Sequence, residues 1–513
     1  MNQTDSVKTI KNFNKVMILL VIISCMSKVF GFIRDIVLTN LYGASSVADA
    51  YLVTLSIPDM LLDLLANTTM IGFVPIAIEK LGESNKSLND FTNSIIKLLL
   101  IIGMGLVGAL LIFPKSILNL MAPGFQSDTL EMSSKFLRVI GFTILFRTVA
   151  NIFNAYLNAN KYFLPSAFMG VILDVSIIVA IIISKKTDLV IILPLGAVLG
   201  TCFQMIFLSP FVIKIGYRSN FFSPVWSDDI KKILIIIIPA AISVGVMQIS
   251  TMVNKALASN ITVGGIAMLN HAGKISYFAE NIIVVSVVTV LYPLLSEYYI
   301  NKEIKQFAIS IEGAIDKLLT FLIPITAGLA ILSYPIINIF YGHGEFTEEN
   351  VLMTSILMTF NVLGIVGIAG QTLLTRALFS MKKIKVSAII SATLLCVFIV
   401  FSVLFSKLFG LEGIALGTAA SYTVGGIVYY IIIKKICPEY NSKTNAITFL
   451  KALASTGVMM GIMFLVKHFV TLSQISMTVL LVVVGTLVFF VVAQIIHLKY
   501  ASIGALVSIF KKK

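Results

Sequence analysis

The chain has 513 residues, 58% of them hydrophobic and only 12% charged, with a mean hydropathy of +1.00, a composition that excludes a soluble globular protein. The formal charge of +14 is spread over short connections rather than gathered in one block, which argues against nucleic acid as a partner. Cys25, Cys202, Cys396 and Cys437 stand singly, without the paired spacing of a metal site or a disulfide framework.

Apolar windows of about 20 residues predict an all-α polytopic membrane protein of about fourteen transmembrane helices. In chain order they are 15–40, 47–79, 91–113, 131–159, 163–184, 188–214, 232–259, 263–297, 307–340, 349–379, 384–408, 412–435, 446–468 and 474–498. Lys8, Lys11 and Lys15 ahead of the run from Val16 imitate a signal peptide. No small-residue cleavage site follows, so this is read as a retained first helix. The longest stretch outside the apolar segments, Gly216 to Lys232, is too short to fold as a separate domain. With the N-terminus inside, cytoplasmic loops and tails hold 22 Lys and Arg against five outside. That asymmetry follows the positive-inside rule and places both termini in the cytoplasm. Pro58, Pro75, Pro239, Pro293 and Pro324 fall inside spans, where helix shaping is the plain reading.

An internal repeat is visible. Gly196-Ala-Val-Leu-Gly200-Thr201 opens the sixth span and Gly413-Ile-Ala-Leu-Gly417-Thr418 the twelfth, 217 residues on. Asn160-Lys161-Tyr-Phe-Leu-Pro-Ser166-Ala167 and Met381-Lys382-Lys-Ile-Lys-Val-Ser387-Ala388 join equivalent helices at an offset of 221. Two six-helix lobes follow, residues 1–218 and 219–440, with two further helices in 441–513. Six is even, so the lobes share one orientation, as in transporters built from parallel repeats with a substrate site between the halves.

Charges inside the spans are the functional signal, because an isolated Arg or Lys at a helix centre costs roughly 2.5 to 3.5 kcal/mol. Lys28, Arg34, Asp49 and Asp63 lie on the first two spans, and Lys255 and Lys274 on the repeat-equivalent seventh and eighth. At 1.5 Å per residue Lys28 lies about 18 Å from the cytoplasmic start of its helix, and Lys274 about 16 Å from the outer end of its own. Both are near mid-depth, so the pattern suits a hydrated cavity for an anionic substrate. Snorkelling competes for Lys255 and Arg34, and a structural ion pair for Asp49 and Asp63. Lys97, Arg138, Arg147, Asp174, Glu280, Glu312, Asp316, Lys317, Arg376 and Lys451 are assigned to loops, packing or the interface. His271 reads as a packing residue.

No phosphate loop is present, since Gly273-Lys274-Ile275 lacks the spaced glycine and the hydroxyl. Neither is a nucleophile with its base, nor a His, Asp and Glu cluster of catalytic metal spacing, apparent. Transport is therefore favoured over enzymatic chemistry, with no cofactor and no metal expected.

At Ser27-Lys28-Val29-Phe30-Gly31-Phe32-Ile33-Arg34-Asp35 the chain resembles the MurJ (MviN) family, lipid II flippases of the multidrug/oligosaccharidyl-lipid/polysaccharide exporter superfamily. Gly43 to Ala50, Phe73-Val74-Pro75, Met121-Ala122-Pro123-Gly124-Phe125, Leu291-Tyr292-Pro293-Leu294-Leu295-Ser296 and Tyr341-Gly-His-Gly-Glu-Phe-Thr347 continue the likeness in order. The resemblance implies a V-shaped transporter, its cavity lined by helices one, two, seven and eight, with the last two helices forming a groove for the lipid tail. It matches Lys28 and Arg34 to basic cavity positions, Asp49 to an acidic one and Lys274 to a basic one. With Ser27, Lys255 and Asp63 these make up the candidate substrate-binding set. Lys28 and Lys274 stand where arginine is common, and lysine lacks the planar fork that grips phosphate at two points. Leu62, Asn67 and Tyr277 replace residues that are often charged. Asn254 stands where relatives carry an aspartate associated with sodium.

The function so implied is translocation of undecaprenyl-pyrophosphate-linked lipid II from the cytoplasmic to the outer leaflet of the bacterial plasma membrane, by alternating access. The partners are then the lipid-linked anionic glycan and membrane lipids. A monomer is expected, with transient contacts to the cell-wall synthesis machinery left open. Competing readings are a flippase for another polyprenyl-linked glycan, a cation-coupled drug exporter, which calls for an acidic rather than a basic cavity, and a membrane scaffold indifferent to loss of Lys28 and Lys274.

Overall fold

The computed structural model describes residues 3–220, 223–226 and 228–501, and among them it is helical without strands. The ends of both tails, 1–2 and 502–513, lie outside the described residues. Contacts divide the chain into two compact units, Met1–Ala267 and Met268–Lys513. Ten helical stretches among the described residues are long and apolar enough to cross a bilayer, against the fourteen expected. The first two helical rods and the one from Asp228 to Ser259 are not among the ten, and one stretch of the ten is two helices merged across a break. The protein is a multi-pass membrane protein.

The first unit runs through α1 (Gln3–Tyr42), α2 (Ser46–Leu62), a π-helical turn (Asp63–Asn67), α3 (Thr68–Glu83), α4 (Asn85–Ile112) and α5 (Pro114–Met121). It continues through α6 (Ser127–Ile140), α7 (Thr143–Ala159), α8 (Leu164–Ala167), α9 (Met169–Thr187), α10 (Ile192–Lys214), α11 (Asp228–Ser259) and the start of α12 (Gly265–Ile300). Ser45 begins α2 as an N-cap, its hydroxyl accepting from the Ala48 amide, which satisfies one of the donors that a helix start leaves orphaned. α1 packs on α9, α9 on α10, α10 on α7 and α2 on α6. Phe73 and Phe91 stack at 5.2 Å, and the Tyr217 ring stands edge-on to Phe153 and Tyr156. Beside this apolar core α4 presents Asn89, Asn93 and Lys97, spaced one helical turn apart. Their amides and ammonium donate to the carbonyls of Gly216, Arg218 and Ser223, so the backbone of the connector is held by a polar ladder. Lys97, assigned from sequence to loops or packing, has this role.

The second unit holds the rest of α12, α13 (Ile304–Ile331), α14 (Ser333–Tyr341), α15 (Glu348–Leu363), α16 (Ile365–Ser380), α17 (Ile384–Ile436), α18 (Ser442–Phe469) and α19 (Gln474–Ile495). α17 is two helices joined at Gly410, whose φ of 64° and ψ of −133° only glycine adopts readily. α13 packs on α18 and α18 on α19. The α13–α18 contact is tied by Asn445, which donates to Asp316 Oδ1 at 2.7 Å and to the Glu312 carbonyl at 3.0 Å, while the Tyr440 hydroxyl donates to Asn445 Oδ1. Glu312 Oε1 also accepts from the Asn441 amide. Both acids thus hold the penultimate helix in place.

The repeated glycines serve one purpose in both units. A Cβ on Gly196 would stand 2.2 Å from that of Ala180, and one on Gly200 2.9 Å from Leu173. In the second unit a Cβ on Gly413 would stand 1.9 Å from the Phe405 carbonyl oxygen, and one on Gly417 2.9 Å from that of Phe401. Small residues four apart let two membrane helices approach backbone to backbone. The other repeated element is a left-handed helix end, with φ of 60° at Lys161 and 59° at Lys382. Gly413→Ala should therefore destabilise the protein by about 1–3 kcal/mol through overpacking. Gly457→Ala, where nothing lies within 4 Å, should be neutral or mildly stabilising. Thermal unfolding of the two variants in detergent checks the contrast.

Candidate functional site

A cavity of about 330 Å³ opens within the first unit between α1, α2, α7, α9 and α10. Its ionisable lining is Lys28, Arg34, Asp59, Arg147 and Asp174, with Ser27 beside Lys28. Arg34 Nη1 donates to Asp174 Oδ1 at 2.8 Å, while Nη2 and Nε both lie 3.3 Å from Asp35 Oδ1. Arg147 pairs with Asp59 through Nη1 and Oδ1. Lys28 is exposed to the cavity and makes no ion pair among the described residues. The two arginines are thus matched by carboxylates, and the cation left to meet an anion here is Lys28.

The signature around Lys28 explains how these groups are brought together. A Cβ on Gly31 would stand 3.3 Å from Asp174 Oδ2, so the glycine gives α9 room to deliver its acid to Arg34. A Cβ on Gly170 would meet Ser27 Oγ at 1.8 Å, and that hydroxyl fills the notch. Asp35 and Thr39 close the inner side of α1, with the Thr39 hydroxyl donating to the Asp35 carbonyl at 2.7 Å.

Other sequence-predicted residues lie elsewhere. Asp49 is only 2% exposed, and its carboxylate accepts from the amides of Gly264 at 2.7 Å and Ala267 at 2.8 Å. Expected to line a cavity, it instead caps the N-terminus of α12, where orphan amides and the helix dipole favour a negative charge. Gly264 has a φ of 78°, and a Cβ there would lie 2.3 Å from the Ala44 carbonyl oxygen, so the loop and the start of α2 fit closely. Lys255 Nζ donates to the Leu52 carbonyl at 3.2 Å, and Asp63, on the π-turn, accepts from Gln248 at 2.9 Å. Lys274 is half-buried on the part of α12 in the second unit.

Arg147, Asp59 and Asp174 were missed as site residues. Arg147 and Asp174 carry the signal that marks Lys28, an ionisable group inside an apolar span, yet that signal alone assigns them to loops, packing or the interface. Their partners are 88 and 140 positions away in the chain, and that distance conceals the pairing. His271 is a packing residue, its ring 4.5 Å from Tyr341 and 6.0 Å from Phe346 by centroid. Both partners come from the Tyr341–Thr347 landmark. The Ala-Pro-Gly-Phe landmark is structural too, with the Gly124 amide donating to Ser259 Oγ at 3.1 Å.

The sequence model of the lipid II flippase MurJ matches residues 38–485. The chain belongs to the MurJ family. It is 25% identical over 468 residues to the probable lipid II flippase MurJ of Buchnera aphidicola subsp. Baizongia pistaciae, covering 90% of this chain and 91% of that one. To the probable lipid II flippase MurJ of Vibrio cholerae it is 27% identical, covering 86% and 87%. Among solved structures it is similar to a lipid II flippase MurJ in an inward closed conformation, with a TM-score of 0.81 and 25% identity over 93% of this chain and 98% of that one. An inward-facing multidrug MATE transporter of the MOP superfamily shares the fold at a TM-score of 0.69 and 16% identity, covering 82% and 98%. The expected all-α exporter-superfamily fold is the one found.

Two outcomes follow from this geometry. Asp174→Ala strips Arg34 of its shorter carboxylate contact, and the cost should approach, but stay below, the 3–5 kcal/mol or so of breaking a fully buried pair, because Asp35 remains. The unfolding temperature should fall in Asp174→Ala and recover in the triple variant Arg34→Met/Asp35→Asn/Asp174→Leu, in which the three charges of the cluster are removed together. Asp49→Ala removes the acceptor of two amides, about 1–3 kcal/mol for each unsatisfied group. Hydrogen exchange at Gly264 and Ala267 should accelerate by about ten-fold or more, with distant helices unchanged.

Proposed function

We propose that this chain is a lipid II flippase, carrying the undecaprenyl-pyrophosphate-linked precursor from the cytoplasmic to the outer leaflet of the bacterial plasma membrane by alternating access. Membership of the MurJ family over residues 38–485 is the observation that carries this reading. The cavity of the first unit adds a physical reason, because it holds a lysine without an ion pair beside two arginines that are already fixed in place.

In this reading Lys28 contacts the pyrophosphate. Ser27 donates a hydrogen bond beside it, and Arg34, held by Asp174 and Asp35, offers its remaining N–H donors without having to reorient. Lys274 supplies the second unit's cation, and Lys255, Asp49 and Asp63 support helix ends and turns around the path. Residues 1–218 and 219–440 act as the two moving lobes, and 441–513 carries the groove for the polyprenyl tail. Both termini are cytoplasmic, the protein works as a monomer, and no covalent chemistry is performed. Its partners are the lipid-linked anionic glycan, the surrounding lipids and, transiently, the cell-wall synthesis machinery. An inside-negative potential favours outward passage of an anion, by about 4 to 5 kcal/mol per 100 mV for a doubly charged head if the protein charges stay fixed.

Depleting the protein in cells and quantifying lipid II at the outer face with a membrane-impermeant probe tests this. Surface lipid II should collapse and be restored by the wild-type chain. Lys28→Ala should lose about ten-fold or more in rate, as befits loss of a charge-assisted contact worth about 1.5–3 kcal/mol, and Lys28→Arg should retain activity. Surface lipid II at the normal rate in depleted cells without a second flippase refutes the assignment. Accumulation of a different polyprenyl-linked glycan would instead name that glycan as substrate.

A further inference from the structure

A second, much smaller cavity lies wholly within the second unit, enclosed by α12, α15, α16 and the latter half of α17. Its volume is about 20 Å³, enough for one water molecule or one small ion. Glu280, nine-tenths buried, faces it and has no hydrogen-bond or ion-pair partner among the described residues. The other polar groups around it are Ser276 and Tyr277 on α12, Asn361 on α15, and Thr418 and Tyr422 on α17. No lysine, arginine or histidine lines the chamber, α16 contributes no polar side chain, and the titratable neighbours are the phenols of Tyr277 and Tyr422.

The direction of the hydroxyl hydrogens decides what such a chamber can hold. Ser276 Oγ donates to the Ala272 carbonyl at 3.0 Å, and Thr418 Oγ1 donates to the Ile414 carbonyl at 2.9 Å. The hydroxyls of Tyr277 and Tyr422 hydrogen-bond to each other. The Ser276 and Thr418 protons are spent on backbone and one of the two phenol protons on the tyrosine pair, so oxygen atoms with lone pairs dominate the surroundings of Glu280. Asn361 adds a side-chain amide, which can turn its carbonyl oxygen toward a cation. A bare carboxylate in such a place has lost the water that would solvate it, and a positive species removes that cost. Hard oxygen donors around one negative charge are the chemistry of a small cation rather than of an anion or an organic ligand.

We propose that Glu280 and the oxygens around it form a binding site for one monovalent cation, a proton or a sodium ion. The site is distinct from the position that the family resemblance connects with sodium, which is Asn254 in this chain and carries no acid. A cation taken up here neutralises Glu280 and so changes the charge of α12, the helix that also carries Lys274. That would make the second unit's cationic contact to the substrate sensitive to the bound ion, a consequence that rests on the flippase reading above. The binding itself does not.

The test uses the full chain in lipid nanodiscs, without lipid II, and dicyclohexylcarbodiimide, a hydrophobic reagent that attacks protonated carboxylic acids in membrane interiors. Modification of Glu280 is mapped by peptide mass spectrometry between pH 5 and pH 9, with sodium chloride against choline chloride. Labelling that falls as pH rises and ignores sodium identifies a proton site. Labelling suppressed saturably by sodium but not by choline identifies a sodium site, and Asn361→Ala should then raise the sodium concentration for half-protection by about ten-fold. In parallel, Glu280→Gln should abolish any sodium or pH dependence of the unfolding temperature while leaving the protein folded. The proposal is overturned if Glu280 is unlabelled throughout, or labelled to an extent that neither pH nor sodium alters. Because no substrate is present, that failure is separate from failure of the lipid II assignment, which is read from surface lipid II in depleted cells.

Discussion

The fixed point of this molecule is the need to neutralise charge where water is scarce. Arg34 between Asp174 and Asp35, and Arg147 on Asp59, meet that need within the protein and so become permanent parts of the scaffold. Lys28 and Glu280 do not. A group whose charge is met internally gives shape and field, and one whose charge is left over selects what must come from outside. The cavity of the first unit is organised by its pairs, and among the described residues Lys28 is the lining cation that has no ion pair.

Much of the fold was legible because the bilayer imposes simple rules. Apolar windows of sufficient length must be helices, since backbone amides find no other partners in lipid. The repeat was legible because Gly196, Gly200, Gly413 and Gly417 meet facing backbones or side chains at distances that leave no room for Cβ, and a helix pair used twice needs the same small residues twice. Family landmarks were legible as words before their meaning was. The Tyr341–Thr347 segment turns out to provide the aromatic walls around His271, and Gly124 provides the close fit to Ser259.

The candidate site was only half legible. Lys28, Arg34 and Ser27 could be found from depth and signature, yet Asp174 and Arg147 could be understood only with their partners in view. Asp49 shows the opposite error. A buried acid near a helix end was read as cavity lining, when two backbone amides of a helix start some 215 residues away were its partners. Side-chain periodicity reports which face is apolar, not which distant amide is unsatisfied.

Gly410 bears on more than the local bend. Read as hydropathy alone, Ile384–Ile436 is one apolar run of 53 residues, and as a straight rod it would extend for about 80 Å, well over twice the roughly 30 Å hydrocarbon core. The reversal at one left-handed residue divides that run into a hairpin and returns the chain to the leaflet it left. Any side chain that forced this residue back to ordinary helical angles would change the parity of crossings, and every later segment would be presented to the opposite side of the membrane. The return of the second half of this run thus hangs on a position that has no side chain at all.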